Sequence, residues 1–188
     1  MRKILSLILL FAVTSVYAGN NDIYITQSGT GLTMNIDQIG DTNKVGTSQT
    51  RATFTGTSMT VDIDQVGDSN TMAASVAQGN STSFTASTTG DSNTTTLALG
   101  ASGDVANTDF DYAATGDSNS VTFTQGAAAT ATAGNQDIVI AGNSNDLNAT
   151  CEVVGCINNW DIDGDENDID TTQTGNSDHS ITAEIDGS

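Results

Sequence analysis

The sequence predicts an all-β chain, a β-solenoid of stacked strand-turn-strand repeats. Three observations carry that reading. A four-residue turn signal recurs along the chain, the residues flanking it alternate between apolar and polar, and proline is absent from all 188 residues. The signal is Gly67-Asp68-Ser69-Asn70, with near copies at Gly40-Asp41-Thr42-Asn43, Gly90-Asp91-Ser92-Asn93 and Gly116-Asp117-Ser118-Asn119. It returns as Gly142-Asn143-Ser144-Asn145, as Gly164-Asp165-Glu166-Asn167 and, degenerate, as Gly175-Asn176-Ser177-Asp178. Successive copies up to Asn167 lie roughly 22 to 27 residues apart, a period typical of solenoids. Gly, Asp, Ser and Asn are turn formers, so the tetrad is a corner and its flanks are strands.

Taken in order, the chain opens with Met1-Arg2-Lys3, an apolar run from Ile4 to Val13, and Val16-Tyr17-Ala18. A basic start, a short apolar middle and small residues at the end read as a cleaved secretory signal peptide, residues 1–18. The mature chain, residues 19–188, is then a single solenoid domain. The run is too short to span a bilayer, and no second one follows, so no transmembrane segment is expected in the mature chain. Ile23, Ile25 and Gln27, ahead of Gly29, form a partial first coil. Before the corners, alternate residues read Met34, Ile36, Gln38, then Val61, Ile63, Gln65, then Phe84, Ala86, Thr88, then Phe110, Tyr112, Ala114. The residues between them are mostly polar, which is the pattern of a strand with one buried face. After the corners the alternation resumes in phase with the tetrad asparagine, as in Asn119, Val121, Phe123 and Gln125. Looser second turns are expected around Gly56, Gly79-Asn80, Gly100 to Gly103, Gly126, Gly134-Asn135 and Gly155. Near the end the unit shortens, and Ile181, Ala183 and Ile185 read one residue out of phase with the Gly175 corner.

One such unit cannot bury its apolar face alone and must stack on its neighbours. Stacking places side-chain amides in rows where they hydrogen-bond along the axis. The candidate ladder comprises Gln38, Asn43, Gln65, Asn70, Asn93, Asn119, Asn145, Asn167 and Gln173, turned by Gly40, Gly67, Gly90, Gly116, Gly142, Gly164 and Gly175.

Ile36-Asp37-Gln38-Ile39-Gly40-Asp41-Thr42-Asn43 and Ile63-Asp64-Gln65-Val66-Gly67-Asp68-Ser69-Asn70 resemble the curlin repeat, whose core reads Gln-x-Gly-x-x-Asn followed by a second strand. The resemblance implies curlin-like repeats stacked as a solenoid, and a subunit of curli, the functional amyloid fibres of bacterial biofilm matrix and adhesion. The full motif holds for those two repeats, and its Gly and Asn run through most of the mature chain. The motif glutamine becomes Thr88, Ala114, Ile140 and Ile162 in later coils. The glycine-rich segment that addresses curli subunits to their outer-membrane channel has no counterpart here.

Composition narrows the function classes. Four Lys and Arg against 23 Asp and Glu give a formal charge of −19, so nucleic acid is not an expected partner. The one histidine, His179, has no nucleophile at a readable spacing, and the chain is not read as an enzyme. The corner carboxylates Asp41, Asp68, Asp91, Asp117 and Asp165 would line one edge of a stack, where like charges raise one another's pKa. Asp161, Asp163, Asp165 and Asp168 form the densest acidic cluster and are the candidate calcium ligands. Their spacing fits no EF-hand loop, and an exposed acidic face is the competing reading; no other cofactor is expected. Cys151 and Cys156 flank Gly155; export permits a disulfide between them if the chain bends there.

The expected function is that of a secreted structural subunit, exported through the periplasm. It would join copies of itself and related repeat subunits end to end by strand addition at the bacterial surface or matrix. The expected docking strands are Ile23–Gln27 at one end and Ile181–Ile185 at the other. The alternative is a non-polymerising acidic solenoid, an adhesin or virion surface protein, with or without calcium.

Overall fold

A computed structural model of the chain describes residues 21–40, 42–46, 51–67, 69–90, 92–100, 105–126, 132–152, 155–174 and 179–187. The expected signal peptide, Asp41, Asp68, Asp91 and the Gly175 corner lie outside them. The described residues form β-strands joined by turns, with no helix. The first coil contains β1 (Asn21–Ile23), β2 (Thr26–Thr30) and β3 (Thr33–Ile39). Next come β4 (Thr42–Val45), β5 (Ala52–Thr57), β6 (Thr60–Val66), β7 (Ser69–Asn80), β8 (Ser83–Thr89) and β9 (Ser92–Leu99). β10 (Val105–Thr115), β11 (Ser118–Gln125), β12 (Thr132–Ala141) and β13 (Ser144–Cys151) continue the stack. β14 (Ile157–Asp163), β15 (Glu166–Gln173) and β16 (Ser180–Asp186) complete it.

The strands form a β-solenoid in which every strand pairing is parallel. Strands that precede a corner stack as β3, β6, β8, β10, β12, β14 and β16. Strands that follow a corner stack as β1, β4, β7, β9, β11, β13 and β15. β2 continues β1 after a break at Tyr24-Ile25, and β5 lies between β2 and β7. The expected single strand from Ile23 to Gln27 is therefore two short strands.

The register answers the alternation in the sequence. Met34, Val61, Phe84 and Phe110 form one inward row, and Ile36, Ile63, Ala86, Tyr112, Ile138 and Trp160 form the next. Of these, all from Val61 and Ile63 onward are buried, and Ile36 is also buried even in the first coil. The middle of the core is aromatic: Phe110 stacks on Phe84 at 5.7 Å between ring centroids and meets Phe123, tilted, at 4.7 Å. Phe54 meets Phe84 edge-on at 6.1 Å. Tyr112 crosses the interior and its hydroxyl bonds Thr88 at 2.7 Å and Thr95 at 2.6 Å, tying the two stacks together. Burial pushes its pKa up to about 12 despite the two hydroxyls that oppose the shift.

The last strand corrects the expected phase. Ile181, Ala183 and Ile185 pair with Asn158, Trp160 and Ile162, so they continue the inward rows. Their corner is Gly187, which stacks on Gly164; Gly164 N–H donates to Asp186 O at 2.8 Å.

Candidate functional site

The corner asparagines build one continuous file. Nδ2 of Asn21 donates to Oδ1 of Asn43 at 2.8 Å, Asn43 to Asn70 at 2.7 Å, and Asn70 to Asn93 at 2.9 Å. Asn93 donates to Asn119 at 2.7 Å, Asn119 to Asn145 at 2.8 Å, and Asn145 to Asn167 at 2.8 Å. Each amide also donates to backbone oxygen, either on the next coil, as Asn43 to Val66 O at 2.8 Å, or in its own corner, as Asn167 to Gly164 O at 2.9 Å. Asn43, Asn70, Asn93, Asn119 and Asn145 are buried, a position a side-chain amide tolerates only when its groups are bonded. Asn21 was missed in the sequence because no complete tetrad precedes it. Asn21-Asp22-Ile23 matching Asn43-Lys44-Val45 was the available signal.

The corner glycines answer a steric demand. Gly67, Gly90, Gly116 and Gly142 are not among the positive-φ residues, so turn conformation does not select them. A Cβ at Gly67 would stand 1.6 Å from Gly40 O, and one at Gly116 would stand 1.9 Å from Gly90 O and 2.8 Å from Asn93 Nδ2. Stacked corners approach so closely that no side chain fits between them. Gly40, Gly142 and Gly164 belong to the same column, which Gly187 extends.

The glutamines divide. Gln65 Nε2 donates to Gln38 Oε1 at 2.7 Å, and both are buried. Gln173 does not join them. It stands at the far end of the post-corner stack, in one row with Cys151 and Gln125. Gln136 Nε2 donates to Gln125 Oε1, and both are buried, a polar contact inside the core that the sequence reading missed.

The four candidate calcium ligands are not brought together. Asp161 and Asp163 project outward from β14, Asp165 lies in the corner, and Asp168 lies on β15 over Asp146. Among the described residues, no three His, Cys, Asp or Glu side chains converge as metal ligands do. Outward-facing, mostly half-buried carboxylates instead stack in short files, Asp37 on Asp64 and Asp111 on Asp137. Partial burial first, then Asp64 and Asp37, raises the pKa of Asp62; burial, then Asp109 and Asp137, raises that of Asp111. Ser87 Oγ and Asn159 Nδ2 bond Asp64 and Asp137 and relieve part of that crowding. Lys44 reaches Asp22 at 3.9 Å. Cys151 and Cys156 are joined as a disulfide across the bend at Gly155, whose φ is +76°.

The two ends of the stack are where the fold is left open. Among the described residues, β1, β2 and β3 each pair on one side only, and so do β15 and β16. At the second end the inward row is uncovered: Ile181 is 41% and Ile185 50% exposed, whereas Ile162 beneath Ile185 is fully buried. No family model, no curated protein and no solved structure matches this chain.

Proposed function

We propose that the chain is an exported structural subunit that adds end to end to copies of itself, forming an amyloid-like extracellular fibre for adhesion or matrix. The observation that carries the reading is the uncovered row Ile181, Ala183 and Ile185 above an unpaired strand edge. Each strand-forming row of the first coil has a counterpart there. Laid on β15 and β16, a second copy places Asn21 over Asn167, Gln27 over Gln173, and Met34 and Ile36 over Ile181 and Ala183. Its Ile23 and Ile25 cover the open apolar row from across the interior. Docking then repeats the packing found inside one molecule, which is how an unprotected sheet edge becomes a template.

The test uses the mature chain, residues 19–188, followed by amyloid-dye fluorescence and negative-stain microscopy. Filaments are expected; monomers persisting at high concentration would overturn the proposal and favour the non-polymerising acidic adhesin. A capped variant locates the contact. Ser180 N–H donates inward to Cys156 O, so along β16 the N–H of Ala183 faces the open side. Ala183→Pro removes that donor without breaking a bond to β14, and it should stop growth while leaving the monomer's circular dichroism unchanged.

A further inference from the structure

The core changes character along the stack. Its middle is filled by Phe54, Phe84, Phe110 and Phe123, but towards the last coils the buried inward positions include Gln125, Gln136 and Asn158. Among the described residues, Gln125 Nε2, Asn158 Oδ1, Gln173 Nε2, Trp160 Nε1 and His179 Nε2 are buried atoms with no hydrogen-bond partner, against Gln65 Oε1 and Thr82 Oγ1 in the earlier coils. Each such atom forfeits its hydration, so burial in these coils is offset by more lost hydration than in the middle of the stack. The Cys151–Cys156 bridge sits in the same place. It joins the end of β13 to the residue before β14, in the row shared with Gln125 and Gln173. Cys151 Sγ contacts Gln125 Oε1 at 3.9 Å, and Cys156 N–H donates to His179 Nδ1 at 3.4 Å.

We infer that this bridge is a redox fastener for the last coils: oxidised, it holds β14, β15 and β16 in place over a core of mixed polar and apolar side chains, and reduced, it lets them open. The inference rests on the assembly reading for its consequence, because β16 carries the uncovered docking row. In the thiol form the chain would be unable to extend at that end, and oxidation on export would license it. The chemistry is a two-electron exchange with a dithiol. A thiolate attacks one sulfur and the S–S bond breaks to a mixed disulfide. The reagent's second thiol then closes on it, and two protons end on Cys151 and Cys156 Sγ.

Hydrogen exchange on the purified mature chain tests the fastener, and filament growth tests its consequence. Thiol alkylation with mass analysis should find no free thiol before treatment with a dithiol and two after it. Reduction should speed amide exchange at least tenfold across residues 157–186 and leave residues 60–99 unchanged. Equal exchange in the two forms, or free thiols in the untreated protein, would overturn the inference. The double variant Cys151→Ser, Cys156→Ser should match the reduced chain and ignore the dithiol. If it fails to fold, the reduced wild-type protein gives the same readout. The double variant Gln125→Leu, Gln136→Leu makes that stretch of core apolar, so its exchange should depend less on the bridge; an unchanged dependence would show that the polar core is irrelevant. Fast exchange on reduction in an oxidised chain that never forms filaments would keep the fastener and remove the assembly reading. Filaments growing at one rate in both forms would remove the gating alone.

Discussion

At the level of single residues, the asparagine file is the most informative feature, because each member serves two neighbours. Removing Asn119 orphans a donor on Asn93 and an acceptor on Asn145 in the buried interior. Asn119→Ala should therefore cost about 3 kcal/mol in chemical denaturation, and Asn167→Ala, at the half-exposed end of the file, about 1 kcal/mol. Equal losses would mean that the file is not continuous. Two crowded carboxylates carry the opposite sign. Asp62 and Asp111 bind their protons more tightly in the folded chain than in the unfolded one. Their contribution is complete below the ordinary carboxylate range and is lost as pH rises through the raised values. Asp62→Asn and Asp111→Asn should each raise stability at neutral pH by about 0.5 kcal/mol and flatten the gain seen on acidification. Melting curves at pH 4 and pH 7 measure both effects.

At the level of strands and corners, the alternation was legible because inward and outward faces differ in chemistry. Ile36, Ile63, Tyr112 and Trp160 fall into one row directly from their distance to a corner glycine. The reading failed where the last corner, Gly187, was not recognised. Counted from the Gly175 tetrad, which lies outside the described residues, Ile181 falls out of phase. Counted from Gly187 it falls into the row, and the pairing of β16 with β14 is what shows Gly187 closing that strand. The break between β1 and β2 was equally hidden, since Ile23, Ile25 and Gln27 alternate without interruption in the sequence. Why glycine holds the corners was also not readable, because the obstacle is the carbonyl of another coil. Gly116→Ala places a methyl group 1.9 Å from Gly90 O, where backbone cannot yield cheaply. It should cost at least about 3 kcal/mol, more than the same change at Gly29, where a Cβ meets nothing within 4 Å. Thermal denaturation of the two variants compares them directly.

At the level of the whole molecule, repetition made the architecture legible while its irregularities were not. A recurring tetrad announces stacking whatever fills the interior. The change from phenylalanine to glutamine and asparagine in the core, and the partners of Gln173, depend on which rows face each other across two stacks, which spacing along one chain does not encode. The acidic cluster shows the same limit: Asp161 and Asp168 are close in sequence, yet a corner sends them to different faces. The asparagine file has one consequence at this scale. Every amide from Asn21 to Asn145 points its N–H towards the later coil, so the small dipoles add instead of cancelling, as peptide dipoles do along a helix. The molecule is thus a vector, and a filament of such vectors would have a fast-growing tip and a slow one. Time-resolved imaging of single seeds should show elongation at unequal rates from the two tips.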